Sequence, residues 1–219
     1  MKWDRKQIGK SFLYFVLAVI VILVEQNFVV GFVTGEQNLL KTALGCLVFV
    51  LIGLAGLWLA KKLGLFSSRE SFSANETVKV LALGFGATYV AKLIGGIALF
   101  IEHGVEATTA NQEILDSLNM PLIIYALLAV WVAPIIEELV MRGLIMGRVF
   151  GRQSWLGLLA ASLLFALLHG PTDIGSWLMY GGMGAVLGYI YRSTGKLECA
   201  IAVHGLNNLL AVIFMVIMK

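Results

Sequence analysis

Two adjacent acids, Glu137 and Glu138, interrupt the apolar stretch WVAPIIEELVMRGLIMGR, and Arg142 follows Glu138 by one helical turn. A charge at membrane depth costs roughly 2.5 to 3.5 kcal/mol on insertion scales, so the default reading of such groups is functional. On a helix Glu138 and Arg142 share a face in the favoured i,i+4 order. Glu137 points about 100° away, free for another partner. Two histidines also fall in apolar runs. His169 ends FALLH, with Phe165 one turn below it; His204 opens HGLNN, with Asn208 one turn above it on the same face. The third, His103, lies in an acidic stretch and is expected to be solvated. Singly, each buried polar residue reads as well as a satisfied structural group. Together, on three apolar helices, they point to a substrate, ion or reaction site.

The chemistry available to this set is limited. No Ser-His-Asp or Cys-His arrangement is visible. Cys46 and Cys199 lie in or beside apolar runs and suggest neither a metal spacing nor a disulfide framework. Cys199 is five residues before His204 and so on another face. Counted from the turn at Arg152, Glu137 lies about 15 residues back and His169 about 17 forward, both roughly 22 to 26 Å along their helices. Antiparallel neighbours would bring them together. His204 lies only about 12 Å from its own basic loop, a mismatch that requires a tilt or a projecting hairpin.

The elements that must position these residues follow from composition. The chain has 219 residues, 59% of them hydrophobic and 13% charged, with mean hydropathy +0.90. Repeated apolar runs of about 20 residues predict an all-α polytopic membrane bundle in a single domain. The alternating segments of a membrane β-barrel are missing. Seven spans are expected, at 12–33, 39–60, 77–101, 121–150, 154–169, 174–191 and 197–218, with room for an eighth, short or re-entrant segment. The N-terminus is basic and lacks a small-residue cleavage site, so the first span reads as retained. Ser73 or Asn75 is placed to cap the third helix, with Glu76 in its first turn. A short amphipathic helix is expected at 113–118. Glu25 reads as lying near an outer interface rather than lining a polar interior. Lys92 is read as paired with an acid elsewhere rather than snorkelling. Pro134, one turn before Glu137, removes a backbone donor and bends its helix. Gly181, Gly182, Gly184 and Gly188 offer small faces for close helix contact. Lys2, Arg5, Lys6, Lys10, Lys61, Lys62, Arg69, Arg148, Arg152, Arg192 and Lys196 fall on one side if the N-terminus is cytoplasmic, and the other side is nearly free of bases until Lys219.

The three polar motifs resemble those of a known family. EELVMR (Glu137, Glu138, Arg142), FALLH (Phe165, His169) and HGLNN (His204, Asn208) are similar to the EExxxR, FxxxH and HxxxN motifs of the CAAX protease and bacteriocin-processing (CPBP, or Abi) family, in order and on successive long helices. The resemblance covers roughly residues 121–216, a catalytic core; residues 1–120 match only in being hydrophobic. It implies an intramembrane endopeptidase of a bacterial plasma membrane, with its site reached from the cytoplasm. Its partners would be the bilayer and a peptide or protein substrate, lipidated or membrane-bound, and no nucleic acid.

In the mechanism expected, Glu137 acts as general base on a water, helped by His169. His204 and Asn208 donate to the oxyanion. Glu138, Arg142 and Phe165 support them. No cofactor is expected. A zinc reading competes, with Glu137, His169 and His204 as ligands. A transporter or channel using the same cluster for an ion or proton is a further alternative. The short chain, the lack of an inverted repeat and the lack of a second acidic cluster weigh against it.

Overall fold

A computed structural model describes residues 5–66, 72–105, 107–118 and 120–217. The expectations placed on Lys2, Arg69 and Lys219 lie outside these residues. The chain forms α1 (Arg5–Val33), α2 (Leu39–Lys62), α3 (Ala74–His103), a short α4 (Ala110–Ser117), α5 (Leu122–Gly151), α6 (Trp155–Leu168), α7 (Ile174–Thr194) and α8 (Leu197–Ile217). No strand occurs among the described residues. The protein is a multi-pass helical membrane protein. Helices α1, α2, α3, α5 and α8 are long and apolar enough to cross a bilayer. Helix α6 has 14 residues, or about 21 Å, short of a hydrocarbon core of about 30 Å. Helix α7 has 21 residues, several of them Gly, Ser and Tyr. Helices therefore occupy all seven expected segments, but among the described residues five of them are long and apolar enough to span.

Local chemistry fixes the helix ends. Asn38 caps α2 by accepting from the Lys41 amide, and Ser73 forms a capping box with Glu76 at the start of α3. Asp173 and Ser176 do the same for α7. Gly151 and Gly195 close α5 and α7 at φ 87° and 70°, a conformation that costs glycine little.

Packing depends on small residues. A Cβ on Gly95 would lie 2.7 Å from the Gly175 carbonyl, and one on Gly175 would lie 2.6 Å from the Leu99 amide, so α3 and α7 touch backbone to backbone. Gly184 meets the Ser162 backbone in the same way, Gly182 and Gly188 meet the side chains of Ala91 and Leu158, and Gly181 faces open space. Basic residues gather at one end of the bundle. Arg148 donates to the Leu63 and Gly64 carbonyls, and Arg152 to the Arg192 carbonyl at 2.5 Å. At the other end Glu102 accepts from the Ile174 and Gly175 amides at 3.2 and 3.0 Å.

Two expectations are corrected here. Lys92 makes no ion pair among the described residues. Helix α3 packs on α7 and α8, and neither carries an acid at that depth. Glu25 is half-buried and lines a groove of about 560 Å³ with Ile136 and Leu139, the residues flanking the two central acids. It therefore stands at the depth of Glu137, not at an interface.

Candidate active site

Helix α5 is not a uniform α-helix. Residues Leu128–Val132 form a π-helical turn, Ala133–Glu138 return to α, and Leu139–Gly151 are π again. Such turns are rare and concentrate at functional sites. The first has an identifiable cause and consequence. The Ala133 amide bonds to the Leu128 carbonyl, five residues back. The next bond in that register would run from residue 134 to Ala129, but Pro134 has no N–H. The freed Ala129 carbonyl instead accepts the Asn208 side-chain amide at 2.8 Å. The proline thus binds α8 to α5 beside the acids.

One turn further along, Arg142 and Glu138 are wholly buried. The guanidinium donates from Nη1 to Glu138 Oε1 at 2.9 Å and from Nη2 to the Gly184 carbonyl at 2.8 Å. The same carboxylate oxygen lies 3.0 Å from His204 Nδ1, and His204 is 2% exposed. The Glu138–Arg142 pair therefore ties α5 to both α7 and α8. An unpaired charge here would be far more costly than the pair. Phe165 lies beneath this network. Its ring is 4.8 Å from the Arg142 guanidinium, 5.6 Å from the His204 ring and 4.7 Å from the His169 ring.

His169 caps the end of α6. Its Nδ1 is 2.8 Å from the Phe165 carbonyl. A carbonyl only accepts, so Nδ1 carries the proton and the Nε2 lone pair is left available. Glu137 is half-buried. Its Oε2 is shielded from solvent and has no hydrogen-bond partner among the described residues; Glu138 Oε2 and Arg142 Nε are in the same state. The charges of His204, Glu138 and Arg142 act on it.

The seven residues singled out in the sequence divide clearly. Glu138, Arg142, Phe165, His169 and His204 form one chain of contacts. Glu137 adjoins it without a bond of its own. Asn208 stands one turn along α8, with its amide nitrogen partly committed to Ala129 and its oxygen accepting from Asn207 at 3.1 Å. The depth mismatch at His204 is absorbed because α8 begins level with the middle of the π segment. A Cβ on Gly143 would lie 3.6 Å from Leu197. Sequence reasoning missed Tyr180, stacked on His169 at 4.2 Å and 21°; its signal was an aromatic residue within the glycine-rich helix. It also missed buried Asn207 and the Gly184 and Ala129 carbonyls, which side-chain motifs do not encode.

Glu137, His169 and His204 fit a metal only in part. Their second shell is suitable, because each imidazole has its Nδ1 on an oxygen acceptor. Their ligand atoms, however, are not gathered within 4.8 Å. The trio that meets that distance among the described residues is Glu102, His103 and Asp173. One Glu138 oxygen serves both Arg142 and His204, so the pair with Arg142 does not keep this carboxylate from orienting the His204 ring.

A family profile described as type II CAAX prenyl endopeptidase Rce1-like matches residues 119–210. The UPF0177 protein YvdC of Lactococcus lactis is 31% identical over 82% of this chain and 68% of its own length. The membrane-embedded CAAX protease MroQ of Staphylococcus aureus is 29% identical over 60% of this chain and 56% of its own length, so the match takes in little more than half of that protein. No solved structure matches the chain.

Proposed function

The chain belongs to the CAAX protease and bacteriocin-processing family of membrane peptidases, and we propose that it hydrolyses a peptide bond with a water activated by Glu137 and His169. The reading of a transporter or channel falls away with the family. The observation that supports this mechanism best is the contrast between the two acids: Glu137 has no hydrogen bond or ion pair to a side chain among the described residues, whereas Glu138 is held through Oε1 by both Arg142 and His204. Glu138 keeps Oε2 unbonded as well, but it is wholly buried and held by Arg142, whereas Glu137 is half-buried and unpaired, so Glu137 is the acid placed to take a water. It accepts the water's proton, and the water oxygen bonds to the carbonyl carbon. The C–N bond then breaks as the proton passes to the leaving nitrogen. His169 accepts from the same water through Nε2. With Nδ1 held by Glu138, an imidazolium at His204 offers Nε2–H to the oxyanion. Asn208 has a second amide proton for the same use. One such donor is worth about a hundred- to a thousandfold in rate. Glu138, Arg142 and Phe165 hold the arrangement.

The substrate class that fits is a peptide in or at the bilayer, lipidated or membrane-spanning, because the site lies among apolar helices. The clustering of Arg148, Arg152 and Arg192 at one end of the bundle supports a cytoplasmic N-terminus. A zinc enzyme using Glu137, His169 and His204 is the second reading, supported by the second shell around both imidazoles. There the ion would lower the pKa of its bound water.

The test is cleavage of two quenched fluorescent probes, a prenylated CAAX peptide and a transmembrane peptide, by protein in liposomes. Hydrolysis of at least one probe, unaffected by strong chelators and with no stoichiometric metal in the sample, is the expected result. Hydrolysis of neither by a folded protein would contradict the reading. One zinc per chain, lost together with activity, would transfer the chemistry to the metal.

A further inference from the structure

We propose that Tyr180 is the positioning residue for His169, and that the Thr109 hydroxyl, at the N-terminus of α4, holds Tyr180 in place. The inference rests on the role given to His169 above. A single hydrogen bond from Nδ1 to the Phe165 carbonyl fixes the tautomer of His169 but does not by itself fix the plane of the ring. The plane is set by contact. The Tyr180 ring lies 4.2 Å from the imidazole at 21°, close to parallel, and the Phe165 ring lies 4.7 Å away at 37°. Rings at this distance gain dispersion and quadrupole energy that is lost on rotation.

Tyr180 is itself anchored. It is 9% exposed, and its hydroxyl lies 2.8 Å from Thr109 Oγ1, with Thr109 5% exposed. Thr109 has a fixed position of its own, because Oγ1 also caps α4 by accepting from the Gln112 amide at 3.2 Å. The same hydroxyl therefore starts a surface helix and anchors a ring stacked on His169. Tyr180 also stands within the field of the Glu137 charge. This buried hydroxyl pair thus joins the start of α4 to α7 at the site, through a residue that does not take part in the chemistry.

Three variants separate this role from simple packing. Tyr180→Phe keeps the stack and loses the anchor. Thr109→Val also loses the anchor. Tyr180→Leu loses the stack. Two readouts are needed: kcat and KM for whichever probe is cleaved, and the tautomer of His169 by NMR of isotope-labelled histidine. The chain has three histidines, so the His169 signal is identified by its loss in His169→Gln. Tyr180→Leu is expected to lower kcat by about a hundredfold at unchanged KM, as for a misplaced catalytic group. It should also replace one Nδ1–H signal by exchanging tautomers. Tyr180→Phe should lower kcat about fivefold; in a Thr109→Val background, which has already lost the anchor together with the α4 cap, it should lower kcat no further. Additive losses, or a Tyr180→Leu protein with wild-type kcat and an unchanged His169 signal, would overturn the proposal. Should Tyr180→Leu not fold, the Phe and Val pair still decides it. Should Glu137→Gln retain wild-type cleavage, the catalytic reading fails while the tautomer readout still judges Tyr180.

Discussion

Helices α1 and α5 are both apolar enough to cross a membrane and both carry acids there, yet they use them differently. In the most apolar window of α5 half the residues are buried, against 11% in that of α1. The acids of α5 sit among partners: Glu138 has Arg142 and His204, and Glu137 has their field. Glu25 on α1 has a groove of apolar side chains, and the charge acting on it is the like charge of Glu137. Hydropathy alone does not separate these helices. What separates them is whether a neighbouring helix supplies a counter-charge at the same depth.

The comparison is broken most severely at Arg142. Arg142→Leu leaves the buried Glu138 carboxylate with His204 as its remaining partner and frees the Gly184 carbonyl, so a stability loss of about 3 to 5 kcal/mol is expected. Lysine should not restore it, because two acceptors in different directions need the guanidinium fork. Thermal unfolding in detergent checks this, and a change under 1 kcal/mol would mean the network contributes little.

Asn208→Ala comes next. It leaves the Ala129 carbonyl without its partner, which costs about 1 to 3 kcal/mol, and it removes an oxyanion donor. Stability and kcat should fall together; Asn208→Ser, which keeps a donor, should recover part of both. The smallest effect belongs to α1. Glu25→Gln should change stability by less than about 0.5 kcal/mol and cleavage by less than twofold. A large loss of activity would make Glu25 part of the site and erase the contrast between the helices.

The sequence carried the helices and the polar residues because both are written in local patterns. Apolar runs mark spans, and a charge inside a run stands out against them. The pairing of Glu138 with Arg142 followed from one-turn spacing alone. The junctions between helices were hidden, because they are made by groups without a side-chain signature. The Ala129 carbonyl is available only because π-helical geometry shifts the bond that Pro134 cannot make by one residue. Arg142 finds the Gly184 carbonyl only because glycine lets α7 come close to α6. Lys92 was assigned a partner on chemical grounds, and the packing of α3 on helices without an acid at that depth denied it one. Tyr180 looked like one more aromatic in a membrane helix until its ring was seen against His169.

The central claim is a division of labour between neighbours: Glu137 reacts and Glu138 holds. The most direct measurement sets Glu137→Gln beside Glu138→Gln in liposomes, with cleavage rate and melting temperature taken on the same samples. Glu137→Gln should melt like the parent protein and lose cleavage by at least about a hundredfold, while Glu138→Gln should melt lower and, where still folded, retain measurable cleavage. A Glu137→Gln protein that cleaves normally beside a stable, inactive Glu138→Gln would reverse the two roles.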